Sequence, residues 1–210
     1  MIIQAQVGPQ NGAASLGAGL TPALRLDNVG ALVNSQLHGR YFESARNRRI
    51  FTAANQTVTT TTVGLTTTYT GLCLSNPVGS GWNLSILGVG YSAIVAWPAG
   101  SAIFLAGGNT GVNVTHTTAV TPRCLSLSAS PPTPVGLADV AATVPVGYYL
   151  IGLGQGLTGA ITTEVTGGQT WTDLGGAVVL EPGGFAYIAT STVSGTNGFW
   201  GSITWEEIPA

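Results

Sequence analysis

From Ile50 to Pro122 the chain carries no Asp, Glu, Lys or Arg, and threonine recurs there in runs such as TVTTTTVGLTTTYTGLCLS. β-Branched side chains lose rotamer freedom in a helix and fit a pleated surface, so the run reads as strand. In WNLSILGVGYSAIVAW, Trp82, Leu84 and Ile86 alternate on one parity, and Leu87, Val89, Tyr91, Ala93, Val95 and Trp97 on the other. A parity switch inside one strand is what an inserted residue produces, which predicts a β-bulge near Ile86 to Gly88. Further strands are expected at AIFLA, GVNVTHTTAV, VGYYLIGL, AITTEVT and AVVLE. FAYIATSTV and FWGSITWEE flank SGTNG, where Asn197-Gly198 predicts a hairpin because both residues accept positive φ. About eight to ten short strands between Gly/Pro/Asn turns predict an all-β fold, a β-sandwich or jelly roll. The Pro-rich segment Ser128 to Gly136 is then the long connection between its halves.

The first fifty residues differ. They hold five of the six arginines, their only aromatics are Tyr41 and Phe42, and segments such as VGPQNGAASLGAGLTPA show no strand or helix period. The expected organisation is an extended N-terminal arm, residues 1–50, followed by a sandwich domain, residues 51–210. A short helix around Ala31 to Ser44 fits the spacing of Leu32, Leu37 and Tyr41. Leu84 to Ala106 is uncharged and long enough to cross a bilayer. It includes Gly88, Gly90, Pro98 and Gly100, alternates like a strand and lacks basic flanks, so no membrane span is expected.

Charged residues make up 7% of the 210, against roughly a quarter in an ordinary soluble domain, and there is no lysine. Solubility falls to neutral polar groups, with 31 glycines and 28 threonines. A surface with so little charge repulsion is expected to meet other protein. The formal charge of −2 excludes a broadly basic nucleic-acid binder. The opening MIIQAQVGPQ lacks the features of a secretory signal, which predicts cytosolic synthesis and reduced, buried Cys73 and Cys124.

Catalytic chemistry is poorly supplied. Gly154-x-Gly156-x-x-Gly159 spaces like a dinucleotide fingerprint, but the Thr- and Ile-rich residues after it are poor helix material. The absence of lysine removes a phosphate-loop lysine and a Schiff base. There is no G-x-S-x-G, and His116 in NVTHTTAV reads as a strand histidine rather than a general base. Neither C-x-x-C nor H-x-x-x-H spacing offers a metal site. Glu206 and Glu207, adjacent on a strand, point to opposite faces and cannot flank one bond. The reading is a non-enzyme without cofactor.

Binding residues are better supplied. Five tryptophans with the Thr and Asn surplus allow a stacking platform for sugars, although Trp97 and Trp205 fall on inward parities that fill a core. Trp171, in GGQTWTDLGG between two glycine pairs, is expected to be partly exposed and to anchor an interface. Arg40, Arg46, Arg48 and Arg49 lie within ten positions. One reading is a solvated charge run. The other is a set of guanidinium forks gripping carboxylates of a neighbouring subunit, with Tyr41, Phe42 and Phe51 as the apolar half of the contact.

Four segments carry a resemblance. ALVNSQLHGRYFESARNRRIFTAANQT, then TTTYTGLCLSNPVGSGWNLSILGVGYS, then VVLEPGGFAYIATS with a closing GSITWEE, resemble a family of tailed-bacteriophage virion proteins. The motifs are HGRY-(F/Y)-E at His38 to Glu43, G-L-x-L-x-N-P-x-G-S-G at Gly71 to Gly81, and W-E-E at Trp205 to Glu207. The resemblance implies a particle component without catalytic residues. The expected role is a head decoration or cement protein on the virion surface, bound to the major capsid protein and to copies of itself as a dimer or trimer. The alternatives are a tail or adsorption protein that binds a host glycan, and, behind both, a hydrolytic tail enzyme.

Overall fold

A computed structural model of the chain describes residues 39–93, 95, 97, 99–156, 170–195 and 198–210. The chain divides into two units, Met1–Phe42 and Glu43–Ala210, so the compact body begins before the expected boundary at Phe51. Most of the expected arm, and the start of the helix expected from Ala31, lie outside the described residues, as do the expected strand at 160–166 and Asn197. The helix found is one short turn, α1 (Phe42–Arg46). Among the described residues no helix is long and apolar enough to cross a membrane.

Among the described residues everything else regular is strand, and the named strands pair antiparallel. One sheet comprises β1 (Ile50–Ala54), β3 (Trp82–Ala93), β7 (Arg123–Cys124), β10 (Thr170–Leu180) and β12 (Phe199–Pro209). Its order is β10-β3-β12-β1-β7. The second comprises β2 (Thr68–Ser75), β4 (Ser101–Asn109), β5 (Thr115–His116), β6 (Ala119–Val120), β8 (Leu137–Thr143), β9 (Tyr148–Gly156) and β11 (Gly184–Thr190). Its order is β5-β8-β2-β11-β4-β9, with β6 also on β8.

The two sheets share one core. Phe51, Leu84, Ile86, Val89, Ile203 and Trp205 from the first meet Leu72, Leu74, Ile103, Leu105 and Ile188 from the second. This is β-sandwich-like layering, and each buried aliphatic or aromatic side chain contributes about 1.5–3 kcal/mol. β12 shows the period most cleanly: Phe199, Ile203 and Trp205 are buried while Trp200, Ser202 and Thr204 between them are half-buried. β11 is buried at every position, because its other parity, Phe185, Tyr187 and Ala189, joins Tyr69, Cys73 and Ala142 in a second cluster. Leu65 and Val114, from the connections, pack into that cluster.

The expected bulge is present. Trp205 pairs with Ile86 and Thr204 with Gly88, leaving Leu87 as the extra residue. The expected hairpin at Asn197-Gly198 is corrected: β11 is held between β2 and β4 in one sheet, and β12 between β3 and β1 in the other. Neither has an edge left for its chain neighbour, so the segment between them crosses from sheet to sheet. The Pro-rich connection also crosses, from β7 to β8. Glu207 fastens it: Val135 N and Gly136 N donate to Glu207 Oε1 at 2.8 and 2.9 Å, and Trp205 Nε1 donates to the same oxygen at 3.2 Å.

The sheet margins are blunted by geometry. In β10 the register against β3 jumps between Asp173 and Val178, and in β9 two bulges leave Leu150 and Leu153 without partners on β4. The remaining margins are formed by β5, β6 and β7, of two residues each. Short and bulged edge strands discourage pairing with another chain.

Candidate functional site

The outward parity of the five-stranded sheet carries unusually small residues. Trp171, Gly90, Ser202 and Ala54 form one row across β10, β3, β12 and β1, and Asp173, Gly88, Thr204 and Thr52 form the next. Thr52 Oγ1 and Thr204 Oγ1 are joined by a hydrogen bond of 3.0 Å. Ser92 pairs with Trp200 one row further along. The Trp171 indole lies across the two glycines. A Cβ at Gly88 would meet indole Cε2 and Cη2 at 2.8 and 2.9 Å, and one at Gly90 would meet Ser202 Oγ at 2.7 Å and indole Cε3 at 3.1 Å. One side of the ring system is thus spent on the sheet, while the residue remains 54% exposed.

Beside it runs a shallow groove of about 160 Å³, lined by Trp171 and Trp200 with Ala54, Gly90, Ser92 and Ser202 among the rest. None of its lining residues carries charge. Sequence reasoning counted Trp200 among five tryptophans of a stacking platform and singled out Trp171 as the exposed one, but passed over the glycines. The available signal was the outward series Gly88, Gly90, Ser92, which leaves room for a large side chain from a neighbouring strand.

The other expected interface residues are scattered in role. Arg40, Arg46, Arg48 and Arg49 are exposed, and the Arg40 guanidinium sits 5.0 Å from the Tyr41 ring centroid. Phe42 is exposed. Phe51 is corrected: it is buried, with its ring stacked on Trp205 at a centroid distance of 6.2 Å, and has no face left for a partner. Arg48 Nη1 donates to Ser130 O at 3.2 Å. Arg48 also has φ 58°, in the left-handed region. Arg49 N donates to Ser44 O and Arg48 N to Ala45 O, both at 3.0 Å, so Arg48 holds the position that glycine usually takes when a helix ends this way.

The structure also assembles a group that the sequence reading passed over. Ser75 Oγ lies 2.9 Å from His116 Nε2, and His116 Nδ1 lies 3.5 Å from Asp139 Oδ2. The connectivity is that of a hydrolytic triad. Its setting differs: Ser75 is 3% exposed and sits in β2 between β8 and β11. His116 Nδ1 makes no hydrogen bond. Asp139 Oδ2 already accepts from Thr118 N at 2.9 Å, and Asp139 Oδ1 accepts from Ala141 N. The group reads as a pin that holds β5 and the residues after it on β8. Burial first, then the Asp139 carboxylate, push the neighbouring Cys73 thiol above its ordinary range, so it is no nucleophile at neutral pH.

Both cysteines are free and buried. Among the described residues no group of three or more His, Cys, Asp or Glu is placed to hold a metal ion. Comparison with protein-family models, with curated proteins and with solved structures finds no match to the chain.

Proposed function

We propose that the chain is a structural protein of a tailed-phage particle: a jelly-roll body, with an arm before Glu43, that decorates the head. On this reading it binds the lattice of the major capsid protein and copies of itself, as a dimer or trimer, with no part played by nucleic acid, membrane, cofactor or catalysis. Strand order carries the proposal. β1-β12-β3-β10 and β2-β11-β4-β9 are two four-stranded runs, and the chain passes between them at nearly every connection. That wiring supports a jelly roll, an architecture that recurs in viral capsid and lectin domains, which is an argument by fold and not by site.

The exterior suits such a role. Val146 and Tyr148 are 62% and 68% exposed beside the half-exposed Tyr149 and Leu150, on a margin whose bulges discourage strand pairing. Exposed apolar side chains along such a margin suit a side-chain interface. Arg46, Arg48 and Arg49 supply the forks for neighbouring carboxylates. A protein that binds only the assembled lattice stabilises it by its binding free energy. The test is imaging of expanded, undecorated heads titrated with the purified protein. Saturable, symmetric occupancy that falls when Arg46, Arg48 and Arg49 become Ala is the expected result, and heads that stay bare at saturating protein would refute it. A second reading, host adsorption through a glycan, is favoured by one observation, that Trp171 and Trp200 line the same uncharged groove.

A further inference from the structure

We infer that the groove between Trp171 and Trp200 binds the apolar face of one neutral pyranose ring. The inference deepens the adsorption reading and is independent of head binding. Four features of the groove point to that chemistry. The first is the pairing of two indoles with the hydroxyls of Ser92 and Ser202. A pyranose presents C–H bonds on one face and hydroxyls around its rim, so it satisfies both kinds of lining. A purely apolar ligand would leave the serine hydroxyls without water or partner, which is costly.

The second feature is the absence of charge from the lining. An ionised ligand would lose hydration there with no counter-charge to compensate. The third is size: about 160 Å³ is well below the roughly 300–1,000 Å³ of pockets that enclose drug-sized molecules, and suits one ring. The fourth is that Trp171 is held in place before any ligand arrives. Its indole rests on Gly88 and Gly90, and a ring already immobilised loses little further freedom on binding. The core does not need this residue, because Trp97 and Trp205 are the tryptophans that fill it.

The test is saturation-transfer NMR with the methyl pyranosides of glucose, galactose and N-acetylglucosamine, with methyl glucuronide as the anionic control. At least one neutral pyranoside should show saturable transfer at about millimolar concentration, and the glucuronide at least tenfold weaker binding. Trp171→Ala and Trp200→Ala should each abolish the transfer. Ser202→Leu, which fills the groove and keeps both indoles, should do the same if the tryptophan variants fold poorly. No transfer to any neutral pyranoside at tens of millimolar overturns the inference, as does transfer unchanged in all three variants or equal for the glucuronide. Head occupancy that falls on Trp171→Ala without any sugar signal assigns the groove to a protein partner instead. The decoration reading stands or falls separately, on the wild-type chain's occupancy of heads.

Discussion

Ser75 Oγ and His116 Nε2 are 2.9 Å apart, yet the serine is walled in by paired strands on both sides. A fluorophosphonate probe should therefore leave Ser75 unmodified, read by mass spectrometry. Ser75→Ala should lower stability by about 0.5–1.5 kcal/mol, the net worth of one such bond, and make the segment around His116 more sensitive to protease. Covalent labelling of Ser75 would show that the group is catalytic.

Glu207 is the sole carboxylate acceptor for Val135 N and Gly136 N among the described bonds, and it takes the Trp205 indole N–H as well. Glu207→Ala should cost about 3 kcal/mol or more, since each stranded buried donor costs about 1–3 kcal/mol. Glu207→Gln keeps an acceptor oxygen and should cost less than half as much. Urea unfolding of the two variants checks the ranking.

Tyr187 has a buried hydroxyl with no partner. Burial first, then the fields of Cys73 and Tyr149, push its pKa up to about 12. The folded chain thus keeps the phenol neutral while the unfolded chain ionises it from pH 10 upward. Its stabilising effect is complete below pH 10 and is lost between 10 and about 12. Tyr187→Phe should leave the urea midpoint at pH 7 unchanged or higher, and flatten its decline above pH 10. Part of the decline should persist, because Tyr69 is shifted in the same direction, chiefly by burial.

A methyl group at position 88 has no room under the indole of Trp171. Gly88→Ala should therefore displace that ring and cost about 1–3 kcal/mol, the range for overpacking. The expected readout is red-shifted tryptophan emission that is absent when Trp171 is already Ala. Emission unchanged in Gly88→Ala would show that the ring does not rest on β3.

Arg48 occupies left-handed backbone at the end of α1. Arg48→Gly should raise stability by about 0.5–1 kcal/mol by relieving that conformation. If the side chain is retained for the head contact proposed above, the same variant should bind heads less well, a trade visible by comparing its melting temperature with its occupancy.

Much of the fold was legible because strand periodicity is local. The parity switch between Ile86 and Leu87 located the bulge to the window Ile86 to Gly88, and the alternation around Trp205 assigned it to the core. The hairpin failed for the complementary reason. Turn chemistry at 197–198 says that the chain bends there, and nothing local says which sheet receives the next strand. The site was less legible because its parts meet through long-range pairing. Trp171 reaches Gly88 and Gly90 only because β10 pairs with β3. His116 reaches Asp139 only because β5 lies on β8. No spacing motif could announce either meeting.

The blunted margins have a consequence for the life of the free protein. A chain this poor in ions lacks the electrostatic guard that usually keeps β-rich proteins from seeding fibrils at high concentration. Bulges at β9 and β10, and strands too short to template anything at β5, β6 and β7, do that work instead. Edge-to-edge strand pairing is therefore disfavoured, so a joint with a neighbour would rest on matched side chains, which a single substitution can undo.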